Sequence, residues 1–194
     1  MRIFFTSDLH FNHENVIKHS ARPFESLEHM SEHLISVWNA RVANNDQVWC
    51  LGDFCLTRGK GKDAALVESL LSRLNGQKFL IPGNHDRDEV IKSRHWQAVY
   101  PMHEIKVKLN PSDVHAQRIV LCHYALRTWN QMHRGAWMLH GHSHGNLTDI
   151  GGKIMDVGVD CNNYCPISLE EIAVSMSQRP IDWCDHHKPK TDEK

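Results

Sequence analysis

The chain has 194 residues, 41% of them hydrophobic and 23% charged, with 16 histidines and a formal net charge of −1. That length suits one well-buried core with an ordinary globular balance. The near-neutral charge disfavours nucleic-acid binding through bulk positive charge, and no apolar run approaches the ~18 residues of a membrane span.

The opening run RIFFTS (2–7) is rich in β-formers and ends at Asp8. Acid and histidine follow at once with no small-residue cleavage site, so it reads as a first strand and not as a signal segment. Apolar residues Leu27, Met30, Leu34, Val37 and Val42 recur at helical spacing over 26–43, with Ser26 as N-cap. A turn at 44–46 leads to a buried strand, QVWCL (47–51), ending in Gly52-Asp53. Leu66, Leu70, Leu71 and Leu74 predict a second amphipathic helix over 63–75, stopped by Gly76. The strand KFLIP (78–82) ends in Gly83-Asn84-His85-Asp86.

The second half reads mostly as strands, over 104–109, 118–122 ending at His123, 136–139 and 153–160. Ser168 and Glu171 form a capping box for a last helix to about residue 178. The expectation is an α/β (α+β) fold, a two-sheet β sandwich flanked by helices, in a single domain over 1–180 with a polar tail over 181–194. Only 86–117 is long enough to supply a lid. Six cysteines (Cys50, Cys55, Cys122, Cys161, Cys165, Cys184) are expected as thiols in a reducing cytoplasm.

Function shows in where the polar residues fall. Five apolar runs end in residues able to bind metal: Asp8 and His10, Asp53, Asn84 and His85, His123, and His142 with His144. Ligand sites in sheet proteins with helical flanks lie at the carboxyl ends of strands. Asp8-x-His10 and His142-x-His144 have the period-2 spacing that points both side chains one way on extended backbone. The set holds carboxylates, an amide and imidazoles but no cysteine, which suits Mn²⁺, Fe, Zn²⁺ or Ni²⁺ and not a structural zinc knuckle. It is too large for one ordinary site. Two ions about 3.5–4 Å apart, sharing a carboxylate, would use it fully and would suit in-line displacement at phosphorus.

The blocks D-x-H (8–10), G-D (52–53), G-N-H-D (83–86), His123 and G-H-x-H (141–144) together resemble the calcineurin-like metallophosphoesterases. The stretches DLHFNHENVIKHSARPF and VGVDCNNYCPISL are similar to small stand-alone phosphoesterases of bacteria and phages in that superfamily. The resemblance implies a four-layer αββα fold and two divalent ions, manganese first among the candidates. Asp8, His10, Asp53 and His144 would hold one ion; Asp53 as bridge, Asn84, His123 and His142 would hold the other. His85 would contact the substrate phosphate and protonate the leaving oxygen, with Asp86 or another carboxylate as its orienter. The implied reaction is attack of a metal-bridging hydroxide on a small-molecule or nucleotide phosphate ester. A phosphodiesterase is the leading reading, a phosphomonoesterase or nucleotide pyrophosphatase the alternative, and a non-catalytic metal-bound binding module the distant one.

Other signals weigh less. His29-Met30-Ser31-Glu32-His33 matches a helical zinc-protease pattern, but Met30 and Leu34 claim the core face and leave both histidines on a solvated one. His140, which the motif does not use, is expected to be buried in support of the site or the core. Asn12 and His13 either face substrate or end a loop. Asp160 and Asn162 are expected chiefly to shape a turn, with contact to the site as the second role. Arg22, Arg58, Arg87 and Arg127 are candidate phosphate clamps by position alone. Cys161 and Cys165 read as loop thiols, Cys122 as a packing residue, and Cys184-Asp185-His186-His187 as tail.

Overall fold

A computed structural model of the protein describes residues 1–148 and 151–182. Nearly all of the tail, including Cys184, His186 and His187, lies outside the described residues. In chain order the elements are β1 (Ile3–Thr6), α1 (Glu14–His19), α2 (Leu27–Arg41), β2 (Gln47–Cys50), α3 (Ala64–Arg73), β3 (Gln77–Leu80), α4 (Asp88–Ile91) and β4 (Trp96–Val99). They continue with β5 (His103–Val107), β6 (Gln117–Leu121), β7 (Trp137–His140), β8 (Ile154–Asp156), β9 (Ile167–Ser168) and α5 (Leu169–Ser177).

Two mixed sheets form, in the orders β4-β3-β2-β1-β9 and β5-β6-β7-β8. Strands β1 to β4 run parallel and β9 antiparallel; in the second sheet β6, β7 and β8 are parallel and β5 antiparallel. Alternation along each strand sorts the core. Phe4, Val48, Cys50 and Leu80 face α2 and α3, where Met30, Leu34, Trp38, Val67 and Leu71 cover them. Phe5, Trp49, Leu51 and Ile81 turn the other way and meet Ile119, Leu121, Trp137 and Leu139 between the sheets, joined by Leu169, Ile172 and Met176 of α5. Val120, Cys122 and Met138 face outward under Trp129 and Met132. Each such side chain stabilises the fold by ~1.5–3 kcal/mol when fully buried.

Both predicted helix caps are present: Ser26 Oγ accepts from His29 N at 3.0 Å, and the Ser168–Glu171 capping box closes on both sides. The buried stripe of α3 is Val67, Leu70 and Leu71, continued by the C-cap Leu74, whereas Leu66, expected in it, is 38% exposed. Val67 completes the i, i+3, i+4, i+7 series, and Leu66 stands one residue off that face. The expected strand over 153–160 stops at Asp156, whose Oδ1 accepts from Gly158 N at 2.8 Å and turns the chain. The span 86–117 carries α4, β4 and β5, elements of the sandwich itself, and a loop over 108–116. Cys50, Cys55 and Cys122 are buried thiols, with Cys161 exposed and Cys165 half-buried. Among the described residues no helix is long and apolar enough to cross a membrane.

Parallel β1, β2 and β3 discharge their carboxyl ends on one rim, and β6 and β7 discharge theirs beside it. A bridge between Ser7 and Gly158 stitches the two sheets together there. Gly52 leaves β2 at φ +96°, and a Cβ on it would stand 2.5 Å from Gly83 N and 2.6 Å from His123 Nδ1. Only glycine permits that turn and that approach.

Candidate metal centre

All seven expected ligands and His85 gather on this rim. Asp8, His10 and His144 present donor atoms within 4.8 Å of one another, and Asp53, His123 and His142 form a second such group. Asp53 lies between the groups, its Oδ2 being 3.6 Å from His10 Nε2 and 3.5 Å from His123 Nε2. Asn84 Oδ1 stands 3.1 Å from His123 Nε2 and so belongs beside the second group. Asp53 Oδ1 accepts from His85 N at 2.9 Å. The His85 imidazole is half-buried at the mouth, its ring centroid 5.2 Å from that of His10.

The backbone is forced to aim these groups. Asp8, His10, Asp53, His142 and His144 have φ of 58°, 53°, 52°, 67° and 48°. Left-handed conformations are uncommon outside glycine, cost of order 1 kcal/mol or more each, and gather at functional sites. Surrounding contacts hold them. Both Asp8 oxygens accept from His142 N, at 3.1 and 2.9 Å. This close pass needs Gly141, where a Cβ would meet Ser7 Oγ at 1.9 Å.

The imidazoles are oriented from behind. His123 Nδ1 donates to Leu51 O at 2.7 Å and His144 Nδ1 donates to Asp160 Oδ2 at 2.7 Å, which leaves each Nε2 toward the centre. Asp160 in turn takes Nε and Nη2 of Arg22, both at 2.8 Å, and the buried Arg22 also donates to Asp8 O and Leu9 O. Burial holds the His10 and His123 imidazoles below their ordinary pKa, so both offer lone pairs. Hydrogen bonding to Asp160 raises His144. Burial pushes the Asp8 carboxyl up to about 7, against the pull of His144 and with the charges of Asp53 and Asp156 adding to the rise.

These features fit divalent cations. His10 Nε2 is buried without a hydrogen-bond partner, an expensive condition that a metal ion would relieve. Crowded carboxylates and neutral imidazoles are the donor set such ions take.

Several expectations change, whereas those for His140 and His29 hold. None of the four arginines points to a role as phosphate clamp: Arg22 is buried on Asp160, Arg58 pairs with Asp63, Arg87 donates to Arg58 O at 3.1 Å and Arg127 pairs with Asp182. Asp86 is no orienter for the His85 ring, because its oxygens accept from the backbone N–H groups of Asp53, Phe54 and Gly83. Asp160 is a contact of the site through His144. His13 faces the centre, its Nδ1 3.1 Å from His10 Nδ1, whereas Asn12 tethers a loop through Leu56 O. His140 is buried and donates to Gly141 O at 2.8 Å, outside both groups. His29 is exposed, and His33 is half-buried against Phe24 and Tyr164. Tyr124 went unnoticed in the sequence: 47% exposed, it lays its ring 4.7 Å from His142 and brings its hydroxyl to 3.4 Å from Asn84 Oδ1. The signal was present, an aromatic residue directly after a loop histidine.

A layered sandwich with this rim of carboxylates and imidazoles defines a metal-dependent hydrolase class, and comparison with known proteins places the chain within it. The family model for calcineurin-like phosphoesterases matches residues 1–189, and the chain belongs to that family. It is a metal-dependent phosphoric ester hydrolase. An uncharacterized protein of Methanocaldococcus jannaschii is 33% identical over 177 residues, covering 88% of this chain and 89% of that protein. The gene 66 protein of mycobacterium phage D29 is 29% identical over 181 residues, covering 81% and 87%. A protein of unknown function from Aquifex aeolicus shares the fold, with a TM-score of 0.69 at 24% identity over 90% of this chain and 98% of that one.

Proposed function

We propose that this hydrolase is binuclear and acts as a phosphodiesterase on small or nucleotide phosphate esters. Asp8, His10, Asp53 and His144 would hold one ion, and Asp53, Asn84, His123 and His142 the other, with manganese the first choice. The carrying observation is the place of Asp53 Oδ2, which faces His10 of one group and His123 of the other at nearly equal distances of 3.6 and 3.5 Å. Two divalent ions held by these residues would supply Lewis-acid activation of water and neutralise charge on the phosphoryl oxygens.

The chain's own groups complete the chemistry. Asp53 orders the loop that carries His85 by accepting its backbone N–H. The His85 imidazole, at the mouth and outside both ligand groups, would donate a proton to the leaving oxygen as the phosphorus–oxygen ester bond breaks, while the attacking water gives up one proton to solvent and bonds to phosphorus as hydroxyl. Asn84, exposed beside the second group, contributes a hydrogen bond to a non-bridging oxygen. The open rim favours a diester. Asn84 and His142 are exposed, and α4, β4 and β5 of the 86–117 segment are built into the sandwich.

Hydrolysis of paired chromogenic phosphate monoester and diester, with added Mn²⁺, tests the reading. Diester turnover exceeding monoester turnover supports it. The reverse preference replaces it with a phosphomonoesterase, and no turnover of either ester sinks it for such substrates.

A further inference from the structure

A hollow of about 820 Å³ lies between the loop joining β5 to β6 and the 131–136 segment, and shares no residue with the metal centre. Arg118 is the second residue of β6, and His123 follows five residues later, about 16 Å away at the rise of a strand. Three lining side chains, Lys106, Arg118 and Arg134, are cationic at neutral pH, and Asp113 is the single carboxylate among the described lining residues. The charges are placed at a cost. Lys106 of β5 and Arg118 of β6 are direct cross-strand partners. Like charges set so, with Cβ atoms about 5 Å apart on one face, destabilise the pairing. Glu104 offsets only one of them, since it accepts from Arg118 Nη1 and is shared with Asn130 Nδ2 at 3.1 Å. The Lys106 and Arg134 head groups have no ion-pair or hydrogen-bond partner among the described residues. Asp113 is committed to its own loop, where its Oδ2 accepts from Asn110 N at 2.8 Å. Gln117 Nε2 ties the two walls together by donating to Arg118 O at 2.8 Å and to Gly135 O at 3.1 Å.

We infer that this hollow is a second ligand site, separate from the metal centre, and that it takes a small organic molecule through a phosphate group held by Lys106, Arg118 and Arg134. An ester phosphate carries a charge of about −1.5 to −2 at neutral pH and three strong acceptor oxygens. That charge matches the two uncompensated cations and would relieve the repulsion across β5 and β6. Arginine donates to phosphate through two parallel N–H groups, which also fixes the orientation of the ligand. The volume lies in the range of small-molecule sites and exceeds what one phosphate fills. Leu109, Val114 and Ala136 offer apolar surface to an organic remainder, and Gln131 a polar group. A nucleic-acid strand would need cations tracking well beyond the hollow, and a chain of net charge −1 attracts it little.

Equilibrium dialysis of labelled inorganic phosphate against the full-length, Mn²⁺-loaded protein tests this, with wild type beside the double variant Lys106→Gln/Arg134→Gln. Both side chains are exposed, so the variant should keep its fold and its metal content, checked by denaturant unfolding and metal analysis. At about 1 mM phosphate and about 0.15 M chloride, the wild type should bind about one phosphate per chain more than the variant. Phosphate at the metal centre cancels in that difference, so the result stands apart from the phosphodiesterase reading. Phenylphosphonate, whose carbon–phosphorus bond replaces the ester, should displace the extra phosphate. Equal phosphate binding by the two proteins overturns the inference, and failure of phenylphosphonate to displace the ion contradicts an organic ligand. A single-stranded oligonucleotide that binds the wild type and not the variant, with phosphate binding equal in both, would assign the hollow to nucleic acid instead.

Discussion

The two ligand groups are built unlike each other. In the first, Asp8 and His10 are buried, and both histidines are backed by a partner, His10 by His13 and His144 by the Asp160–Arg22 pair. In the second, Asp53 and His123 are buried, but His142 and Asn84 stand exposed and Tyr124 lies open beside them. Donors held from behind lose little freedom when an ion binds, whereas exposed ones must be ordered at that moment. The proposed enclosed position should therefore hold its ion more tightly, and the open one should be where ligands exchange. A chelator titration followed by metal content checks this: stepwise release, one ion before the other, is expected, and simultaneous release would break the contrast.

Asp53, whose Oδ2 faces His10 of one group and His123 of the other, is the proposed bridge, so its loss should have the largest effect. Asp53→Asn should remove both ions and lower turnover on the order of 10³-fold, the several kcal/mol that metal activation supplies. His85→Ala should cost about 10²–10⁴-fold in turnover while metal content stays unchanged, because His85 lies in neither group. Asp160→Asn sharpens the contrast. It should weaken binding at the enclosed position by about 10–100-fold and leave the open position unaltered, read as two affinities in one Mn²⁺ titration. The same change strips the buried Arg22 of its counter-charge, so denaturant unfolding should also show a loss of about 3 kcal/mol.

The smallest effect lies far from the rim. Arg41 hydrogen-bonds Glu171 and, over the opposing effect of burial, brings that carboxyl down from 4.5 to about 2. A carboxyl with a depressed folded pKa adds stability above the unfolded value and loses it as pH falls through about 4.5 toward 2. Glu171→Gln keeps the capping box and removes only the charge. The pair is largely solvent-screened, so we expect a loss of about 0.5–1 kcal/mol at pH 7 that disappears near pH 2, measured by unfolding at both pH values.

The sandwich, and the gathering of the candidate ligands on one rim, were legible because both follow from short-range pattern. Short continuous apolar runs, buried on both faces of their sheets, defined most strands, and polar residues at their ends marked the rim. What escaped the sequence depends on long-range contact or on weak pattern. Arg22 and Asp160 are 138 residues apart, and nothing local ties either to His144. Strand β4 is short, partly exposed and joined to β3 through a register shift, so its residues alternate poorly. Helix α1 has six residues and buries only Val16, too little for a helical stripe. Asp86 followed His85 in sequence and looked like its partner, yet the turn directs its carboxylate to the backbone of the β2 exit.

The central claim is that one carboxylate serves two ions while a neighbouring imidazole serves the substrate. Metal content of Asp53→Asn and His85→Ala, purified side by side with the wild type, tests it most directly. The account predicts two ions per chain in the wild type and in His85→Ala, one for each ligand group, and none in Asp53→Asn. A single ion retained by Asp53→Asn, or equal metal loss in both variants, would contradict it.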